Sequence, residues 1–114
     1  MEPKMKDIQR EILLGFWKIH ILHHASEGPV VGHWMLNELR RHGYDVSPGT
    51  VYPLLGRMLE RGWLRCEVDP SGGLRARKEY YLTQKGKKVL AVVKKQLLEL
   101  YKELHDHPGK EVKT

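Results

Sequence analysis

Three side chains in one short segment could form hydrogen bonds to nucleic acid: the hydroxyl of Thr50, the phenol of Tyr52 and the guanidinium of Arg57. In a helix, with 100° between successive residues, they surround a face that Gly49 and Pro53 leave almost bare. A smooth face with a few hydrogen-bond donors suits close approach to a DNA groove, where side chains contact base edges and phosphates. Tight packing of helix on helix is the alternative interpretation.

The helix that would carry these groups has a clear start and a clear buried face. Ser47 is a preferred residue before the first turn, and Pro48 suits the first helical position because its missing N–H would be unpaired there. Apolar residues recur at the spacing of one face: Val51, Leu54, Leu55, Met58 and Leu59. Pro53 removes a backbone hydrogen bond, and such irregularities tend to occur at functional sites. The expected DNA contacts on this helix are Ser47, Gly49, Thr50, Tyr52, Pro53 and Arg57.

A second helix precedes this one. It begins after Gly32 and ends at Gly43, and residues 44–47 then lead into the next helix. Two short helices joined by a glycine-containing turn form a helix-turn-helix, whose second helix enters the DNA major groove. We call residues 48–60 the reader helix.

After Trp63, apolar and polar residues alternate, which is typical of a β-strand. The apolar positions are Leu64, Cys66 and Val68 before residues 70–73, and Tyr80 and Leu82 after them. Residues 70–73 predict a turn, so residues 64–82 predict a β-hairpin, which we call the wing. Arg75, Arg77 and Lys78 lie at its tip and return strand, where they could neutralise phosphates or enter a minor groove. A solvated surface is the other interpretation of such a basic run.

Positive charge is concentrated in the wing and the residues that follow it. The chain has 114 residues and a formal net charge of +6, and residues 64–88 contain seven basic and three acidic residues. A local basic patch is typical of a protein that binds a polyanion. The length suits one domain, the single cysteine excludes an intrachain disulfide, and no apolar run is long enough for a membrane span or a signal peptide. We therefore expect a cytoplasmic protein without membrane association.

A helix predicted from about Asp7 to Ala25 has two apolar faces. One face comprises Ile8, Ile12, Phe16, Ile19 and Leu22, and the other comprises Leu13, Leu14, Trp17 and Ile21. A chain this short cannot cover both, so we expect one face in its own core and the other against a partner subunit. We assign the face with Leu13, Leu14 and Trp17 to the partner.

The C-terminal part predicts a dimerisation helix. Thr83 caps a helix of about 24 residues that ends near His105. Leu90, Val93, Leu97, Leu100 and Leu104 follow the spacing of a coiled-coil seam, which is too short to pair without the first helix. We therefore expect a homodimer. The predicted fold class is mainly α with a small β-hairpin: a winged helix-turn-helix domain at residues 1–82, a dimerisation helix at residues 83–107 and a disordered tail at residues 108–114.

Several short motifs occur in order along most of the chain. They are Glu27-Gly28-Pro29, Gly32-His33, the Ser-Pro-Gly-Thr-Val-Tyr-Pro-Leu-Leu block at residues 47–55, residues 59–64, Gly72-Gly73, Arg77-Lys78 and residues 80–86. Together they resemble the PadR family of bacterial transcriptional regulators, and the compact C-terminus is similar to its shorter subfamily. The resemblance implies a winged helix with a C-terminal dimerisation helix, usually a repressor that leaves its operator when an effector binds. The family commonly has tyrosine where this chain has His33 and Glu79.

Two of the seven histidines, His20 and His24, are one turn apart on the first helix. They could bind a metal, sense pH or contact an effector. No carboxylate or cysteine lies at ligand spacing in the sequence, so we predict polar histidines at the interface rim and no metal site. Cys66 lies on the inward side of the wing, where we expect a buried thiol rather than a redox sensor.

The combined interpretation is a sequence-specific DNA-binding transcriptional regulator, a repressor released by a small molecule, whose homodimer binds double-stranded DNA at a pseudo-palindromic operator. No phosphate-binding loop or nucleophile motif indicates an enzyme or a cofactor. A flat apolar effector would lie between the first helix and the partner's last helix, near Trp17, His20, Ile21 and Tyr101. The alternative function is a winged-helix module that binds another protein, although such a surface would not need a basic wing.

Overall fold

The computed structural model describes residues 2–106, apart from the side chains of Leu74 and Arg75. Within these residues the chain forms five α-helices and a three-stranded antiparallel sheet. The helices are α1 Met5–Ile8, α2 Leu14–Glu27, α3 Gly32–Arg41, α4 Pro48–Glu60 and α5 Gln84–Asp106, and the strands are β1 Val30–Val31, β2 Leu64–Val68 and β3 Lys78–Leu82. The predicted fold class is confirmed. The tail predicted at residues 108–114 lies outside the described residues.

The N-terminal helix is longer than predicted. α1 continues through a π-helical turn, Gln9–Leu13, into α2, so helical structure runs from Met5 to Glu27. It ends before Gly28-Pro29, because the residue before a proline is sterically biased away from the α-helical conformation.

The face of this helix that we assigned to a partner subunit is instead buried in the core of its own domain. Trp17 is 2% exposed and Ile21 is fully buried, and both lie in the core of their own domain. Leu13 and Leu14 are half-buried against the same core. The Trp17 indole meets the Tyr44 ring edge-on, with ring centroids 5.8 Å apart. This face is therefore an internal one, not the partner-facing one.

The opposite face lies partly outside the core. Ile12 and Phe16 are exposed, although Leu22 on the same predicted face is buried. Periodicity shows that two apolar faces exist, but it cannot show which one the core covers, because each could be buried equally well.

α3 and α4 form the predicted helix-turn-helix, and α4 is the reader helix. Its buried face is as predicted, with Val51, Leu54, Leu55 and Met58 in the core and Leu59 half-buried against it. Ser47 has the extended backbone of a capping residue, but its side chain makes no capping hydrogen bond. Instead, its carbonyl accepts hydrogen bonds from the N–H groups of Thr50 and Val51. The start of the reader helix therefore depends on the backbone and on Pro48.

The turn between α3 and α4 is held by two long side chains. Arg40 Nε donates to the Val46 carbonyl at 3.0 Å. Gln9 Nε2, from the π-helical turn, donates to the Asp45 carbonyl at 2.8 Å. These bonds satisfy carbonyls of an irregular segment, and they therefore fix the path of the chain into the reader helix.

The wing is a hairpin of β2 and β3, with Cys66 opposite Tyr80. β1 pairs with the other edge of β3, where Val30 lies opposite Tyr80. β1 was not predicted from the sequence, because two residues are too few to show an alternating pattern. Cys66 is half-buried and packs against the core. Val68, predicted to point inward, is exposed, because it pairs with Lys78 at the outer end of the hairpin.

α5 starts at a junction built by Thr83. Thr83 Oγ1 accepts a hydrogen bond from the Gly86 N–H at 2.9 Å, as expected for a cap, and donates to the Gly62 carbonyl at 2.6 Å. The Thr83 N–H donates to the Trp63 carbonyl at 3.1 Å. Gly86 is buried, and a Cβ there would overlap the Trp63 carbonyl oxygen. The start of α5 is therefore fixed against the end of the reader helix.

The first turns of α5 pack on the domain, and the later turns extend away from it. Leu90 is buried in the core, which corrects its assignment to the dimer seam, and Val93 is half-buried. Leu97, Leu100 and Leu104 are exposed, Leu104 by 75%. Across residues 2–106, no helix combines the length and the apolar character needed to cross a bilayer.

Replacing Thr83 by valine removes the hydroxyl but keeps the side-chain shape. The Gly86 N–H and the Gly62 carbonyl would each be left without a partner, so we expect the free energy of unfolding to fall by about 1–3 kcal/mol. Urea denaturation followed by circular dichroism measures this change. Thr83→Ser, which keeps the hydroxyl, is the matched control and should stay within about 1 kcal/mol of wild type. An equal loss in both variants would contradict the role given to the hydroxyl.

Candidate nucleic-acid interface

The outer face of the reader helix is open to solvent. Ser47, Gly49, Pro53 and Arg57 are exposed, Thr50 is half-buried and Tyr52 is 47% exposed. The helix continues through Pro53 without a break. All six residues predicted to contact DNA on this helix are therefore at least partly accessible to solvent.

A groove of about 300 Å³ joins the reader helix to the wing. Tyr52 lines it from α4, Arg77 and Lys78 line it from the wing, and His33 lines it from α3. Three predicted contact residues from separate parts of the sequence are thus brought together. Thr50 and Arg57 do not line this groove and lie elsewhere on the reader helix.

The Tyr52 ring rests on the backbone of Gly32. Gly32 is buried at the start of α3, and a Cβ at this position would overlap the Tyr52 ring. The absence of a side chain at Gly32 therefore sets where the phenol lies. In the sequence Gly32 indicated only the start of a helix, and this contact could not be foreseen because it joins residues from two helices.

His33 lines the groove, although we did not assign it to the site from the sequence. It is exposed, and its Nε2 lies 3.1 Å from Nδ2 of Asn37, one turn later in α3. The available signal was the motif itself, because His33 stands where the family that the motifs resemble commonly has tyrosine. An imidazole, like a phenol, can donate or accept a hydrogen bond there.

In the described part of the chain, carboxylates do not neutralise the basic groups at this surface. No ion pair involves Arg57, Arg77 or Lys78 among the side chains of residues 2–106, those at 74 and 75 excepted. Arg65 differs, because its Nη1 lies 2.6 Å from Glu67 and its guanidinium covers the Tyr81 ring at 4.2 Å. The basic side chains available to phosphates at this surface therefore include Arg57, Arg77 and Lys78.

The wing tip forms a defined turn, the 3₁₀ helix Pro70–Arg75. Asp69 Oδ1 accepts hydrogen bonds from the Ser71 hydroxyl at 2.7 Å and N–H at 3.0 Å, and these bonds lower the pKa of Asp69. Gly73 has a φ of 57°, a left-handed conformation that favours glycine. The Asp69 N–H donates to the Arg77 carbonyl at 3.2 Å, so the turn fixes the backbone of Arg77. The side chain of Arg75, a third predicted contact, is outside the described part.

A second, apolar pocket of about 350 Å³ lies between α2 and α5. Its lining comprises Phe16, Ile19, His20, His23, Leu90, Lys94 and Leu97. Of the four residues predicted for an effector pocket, His20 alone lines it. Trp17 and Ile21 are in the core, and Tyr101 is exposed on α5, stacked on the His105 ring at 5.2 Å between centroids. The pocket position is corrected because the accessible face of α2 is the one with Phe16 and Ile19.

His20 and His24 lie close to side chains from the end of α3. One nitrogen of each of His20, His24 and His42 lies within 4.8 Å of the others, and Glu38 contacts two of these rings. Burial lowers the pKa of His20, and the neighbouring His42 and His24 lower it further. The pKa of Glu38 is lowered to about 2, chiefly by its hydrogen bonds from Arg41. Our expectation that no carboxylate accompanies the two histidines was wrong: Glu27, three residues after His24 on α2, lies 3.4 Å from His24 Nδ1, and Glu38 approaches His24 Nε2 from another helix.

Comparison with known proteins places this geometry in a family. The family model described as "Transcriptional regulator PadR-like family" matches residues 21–92, which include the helix-turn-helix and the wing. The chain belongs to the PadR-like family. The resemblance expected from the sequence motifs is thereby confirmed.

Individual relatives agree with this assignment. Transcriptional regulator Rv3488 of Mycobacterium tuberculosis is 42% identical over 100 residues, covering 88% of this chain and 89% of the relative. The solved structure of a PadR family transcriptional regulator from Eggerthella lenta is 28% identical with a TM-score of 0.71, covering 94% of this chain and 97% of that one. A PadR-like transcriptional regulator from Bacillus cereus is 26% identical with a TM-score of 0.74, covering 92% and 99% respectively. PadR-like regulators are DNA-binding proteins without enzymatic activity and are generally dimeric.

Gly32→Ala tests whether the position of Tyr52 matters at this interface. The added methyl group would overlap the phenol ring and displace it, so we expect affinity for DNA from the protein's own upstream region to fall at least tenfold, about 1.4 kcal/mol. Gly15→Ala is the matched control, because no atom lies within 4 Å of a Cβ at that position. Fluorescence anisotropy measures the affinity, and circular dichroism shows whether each variant folds. Wild-type affinity in a folded Gly32→Ala protein would show that the Tyr52 position is unimportant.

Proposed function

We propose that this PadR-like protein is a sequence-specific repressor that binds its operator as a homodimer and leaves it when a small apolar molecule binds. The observation that best supports DNA binding is the groove that Tyr52 of the reader helix shares with Arg77 and Lys78 of the wing. A polar group on a helix and two unneutralised cations beside it match the two kinds of DNA contact, to base edges and to phosphates.

In this proposal the reader helix supplies most of the sequence specificity. Gly49 and Pro53 let its backbone approach the base pairs closely, and Thr50, Tyr52 and Arg57 supply hydrogen-bonding groups. The opposite side of the helix is anchored by four residues in the core: Val51, Leu54, Leu55 and Met58. A rigidly packed helix presents its outer side chains in a fixed geometry, which base recognition requires.

The wing supplies most of the affinity. Arg75, Arg77 and Lys78 are proposed to neutralise phosphates, with one of them reaching the minor groove. The turn at Pro70–Arg75 and the bond between Asp69 and Arg77 support this role, because they fix the path of the wing backbone that carries these side chains.

The homodimer is supported by apolar surface that one chain leaves uncovered. Leu97, Leu100 and Leu104 are exposed on α5, and Ile12 and Phe16 are exposed on the N-terminal helix. Contiguous apolar surface of this kind is typical of an interface. A symmetric dimer with reader helices about 34 Å apart would meet successive turns of B-DNA, so its operator would be pseudo-palindromic.

The effector is proposed to occupy the pocket between α2 and α5. The lining side chains Phe16, Ile19 and Leu97 suit a flat apolar molecule. A molecule there would change the angle between α2 and α5, and hence the distance between the two reader helices. It would release DNA only if it bound the free dimer more tightly than the DNA-bound one.

Comparing a phosphate-binding residue with a base-reading residue tests the DNA-binding proposal. Lys78→Ala should weaken binding to the protein's own upstream DNA and to random DNA alike, and should reduce the slope of log affinity against log salt by about one for each phosphate left unneutralised. Tyr52→Ala should weaken binding to the upstream DNA more than to random DNA, by about 1–3 kcal/mol. Anisotropy titrations at several salt concentrations measure both effects.

The control for this experiment is Lys6→Ala, which removes the same charge from an exposed position on α1. Its affinity should stay within about twofold of wild type if charge acts locally. Equal losses on both DNAs for Tyr52→Ala would count against a role in base recognition. Failure of the wild-type protein to prefer any upstream fragment would refute sequence specificity.

Leu100→Glu tests the dimer interface. Leu100 is exposed in the single chain, so a glutamate there leaves the core intact but would place an unpaired charge in the proposed apolar seam. We expect a folded monomer by analytical ultracentrifugation where the wild type is a dimer. Lys102→Glu, which adds a carboxylate on the other side of the same helix, should remain dimeric. A dimeric Leu100→Glu protein would place the interface elsewhere.

A further inference from the structure

Four side chains that can bind a metal converge between α2 and the end of α3. His20 and His24 are one turn apart on α2, and Glu38 and His42 are one turn apart at the end of α3. Nitrogens of the three imidazoles lie within 4.8 Å of one another. Glu38 Oε2 lies 3.4 Å from His24 Nε2 and 3.1 Å from His42 Nε2. One carboxylate oxygen therefore contacts two of the three rings.

Neighbouring groups orient these side chains. Arg41 donates two hydrogen bonds to Glu38, at 2.9 Å to Oε1 and 2.7 Å to Oε2. His24 Nδ1 lies 3.4 Å from Glu27 while its Nε2 points to Glu38. His20 Nε2 lies 3.3 Å from the Tyr44 hydroxyl. Outer contacts of this kind fix the ring and carboxylate orientations of metal ligands.

The spacing of the nitrogens is close to what a small cation requires. Zinc binds imidazole nitrogen at about 2.0–2.1 Å, so the ligand atoms of a tetrahedral site are about 3.3 Å apart. The nitrogens of the three histidines lie within 4.8 Å of one another, so side-chain rotations that bring them closer are needed to hold the cation. All three rings are half-buried or exposed, so such rotations do not disturb the core.

We propose that His20, His24 and His42, together with Glu38, form a binding site for a divalent transition metal of the zinc type. Three imidazoles and a carboxylate suit such a cation, whereas magnesium and calcium prefer sites made of oxygen ligands. The site goes beyond the proposed function, because it takes an inorganic cation and involves no DNA contact, although His20 also lines the pocket proposed for the apolar effector. It would also tie α2 to the end of α3, two residues before Tyr44 and the turn into the reader helix.

Isothermal titration calorimetry with Zn²⁺ on the untagged full chain, first stripped of metal with a chelator, tests this site. We expect about one Zn²⁺ per chain with micromolar or tighter affinity and no measurable binding of Mg²⁺. His20→Ala and His42→Ala should each weaken Zn²⁺ binding at least tenfold. His33→Ala is the matched control, since it removes an exposed imidazole from the other end of α3. Circular dichroism confirms that the variants fold.

Direct ligation has a separate readout. Co²⁺ bound in place of Zn²⁺ should show the intensified visible absorption of low-coordinate cobalt in the wild type and not in His20→Ala. Absence of Zn²⁺ binding to the wild type would overturn the proposal. So would equal affinities in His20→Ala, His42→Ala and His33→Ala, or binding that is lost only in His105→Ala. These measurements are made on the protein without DNA. A negative result for metal binding is therefore distinguishable from a failure of operator binding.

Discussion

The arrangement of this domain depends on the hydroxyl of Thr83. It accepts a hydrogen bond from the first turn of α5 and donates one to the Gly62 carbonyl, immediately after the reader helix. Gly86 allows α5 to approach the Trp63 carbonyl at the same point, since a Cβ would not fit there. The end of α4, the start of β2 and the start of α5 therefore meet in one small junction that has little freedom to deform.

This junction connects two surfaces that share no residues. The groove proposed to face DNA lies between α4 and the wing, and the uncovered apolar surface lies on the N-terminal helix and the outer turns of α5. Because α5 is clamped at Thr83, a change in its direction cannot be absorbed by a flexible linker. It must be passed to the reader helix or to the packing of α2 against α5. A molecule between α2 and α5 would act at the second of these, on the turns of α5 that follow the clamp.

The elements that the sequence predicted well are those defined by neighbouring residues. The start of the reader helix at Pro48 and its buried face lie within 13 residues. The Thr83 hydroxyl likewise accepts a hydrogen bond from the N–H of Gly86, only three residues later. Two failures were local, since Ser47 makes no side-chain capping bond and Glu27 lies three residues after His24. The others involve contacts between distant segments. The choice of the Trp17 face over the Phe16 face depends on what packs against it, and β1 exists only because β3 lies beside it. The spacing of apolar residues along the chain predicts neither the burial of the Trp17 face nor the pairing of β1 with β3.

In the candidate sites, too, features set by neighbouring residues were predictable and contacts between distant segments were not. Exposure of Tyr52, Arg77 and Lys78 followed from helical and strand spacing, but the contact of Tyr52 with Gly32 did not. Glu38 is 14 residues from His24 in the chain, yet lies 3.4 Å from its ring. Local spacing along the first helix indicates Glu27, three residues after His24, but it cannot indicate Glu38, because a helix brings close together only residues of its own segment.

Net charge alone also does not show which basic side chains are available to a polyanion. Arg40 donates to the Val46 carbonyl, Arg41 is bound to Glu38, and Arg65 is paired with Glu67. Each of these three guanidinium groups therefore has at least one donor engaged within the helix-turn-helix or the wing. Arg57, Arg77 and Lys78 have no such partner among the described side chains. The positive charge that remains for a polyanion is thus set by the fold, which engages some guanidinium groups internally and leaves others at the surface beside Tyr52.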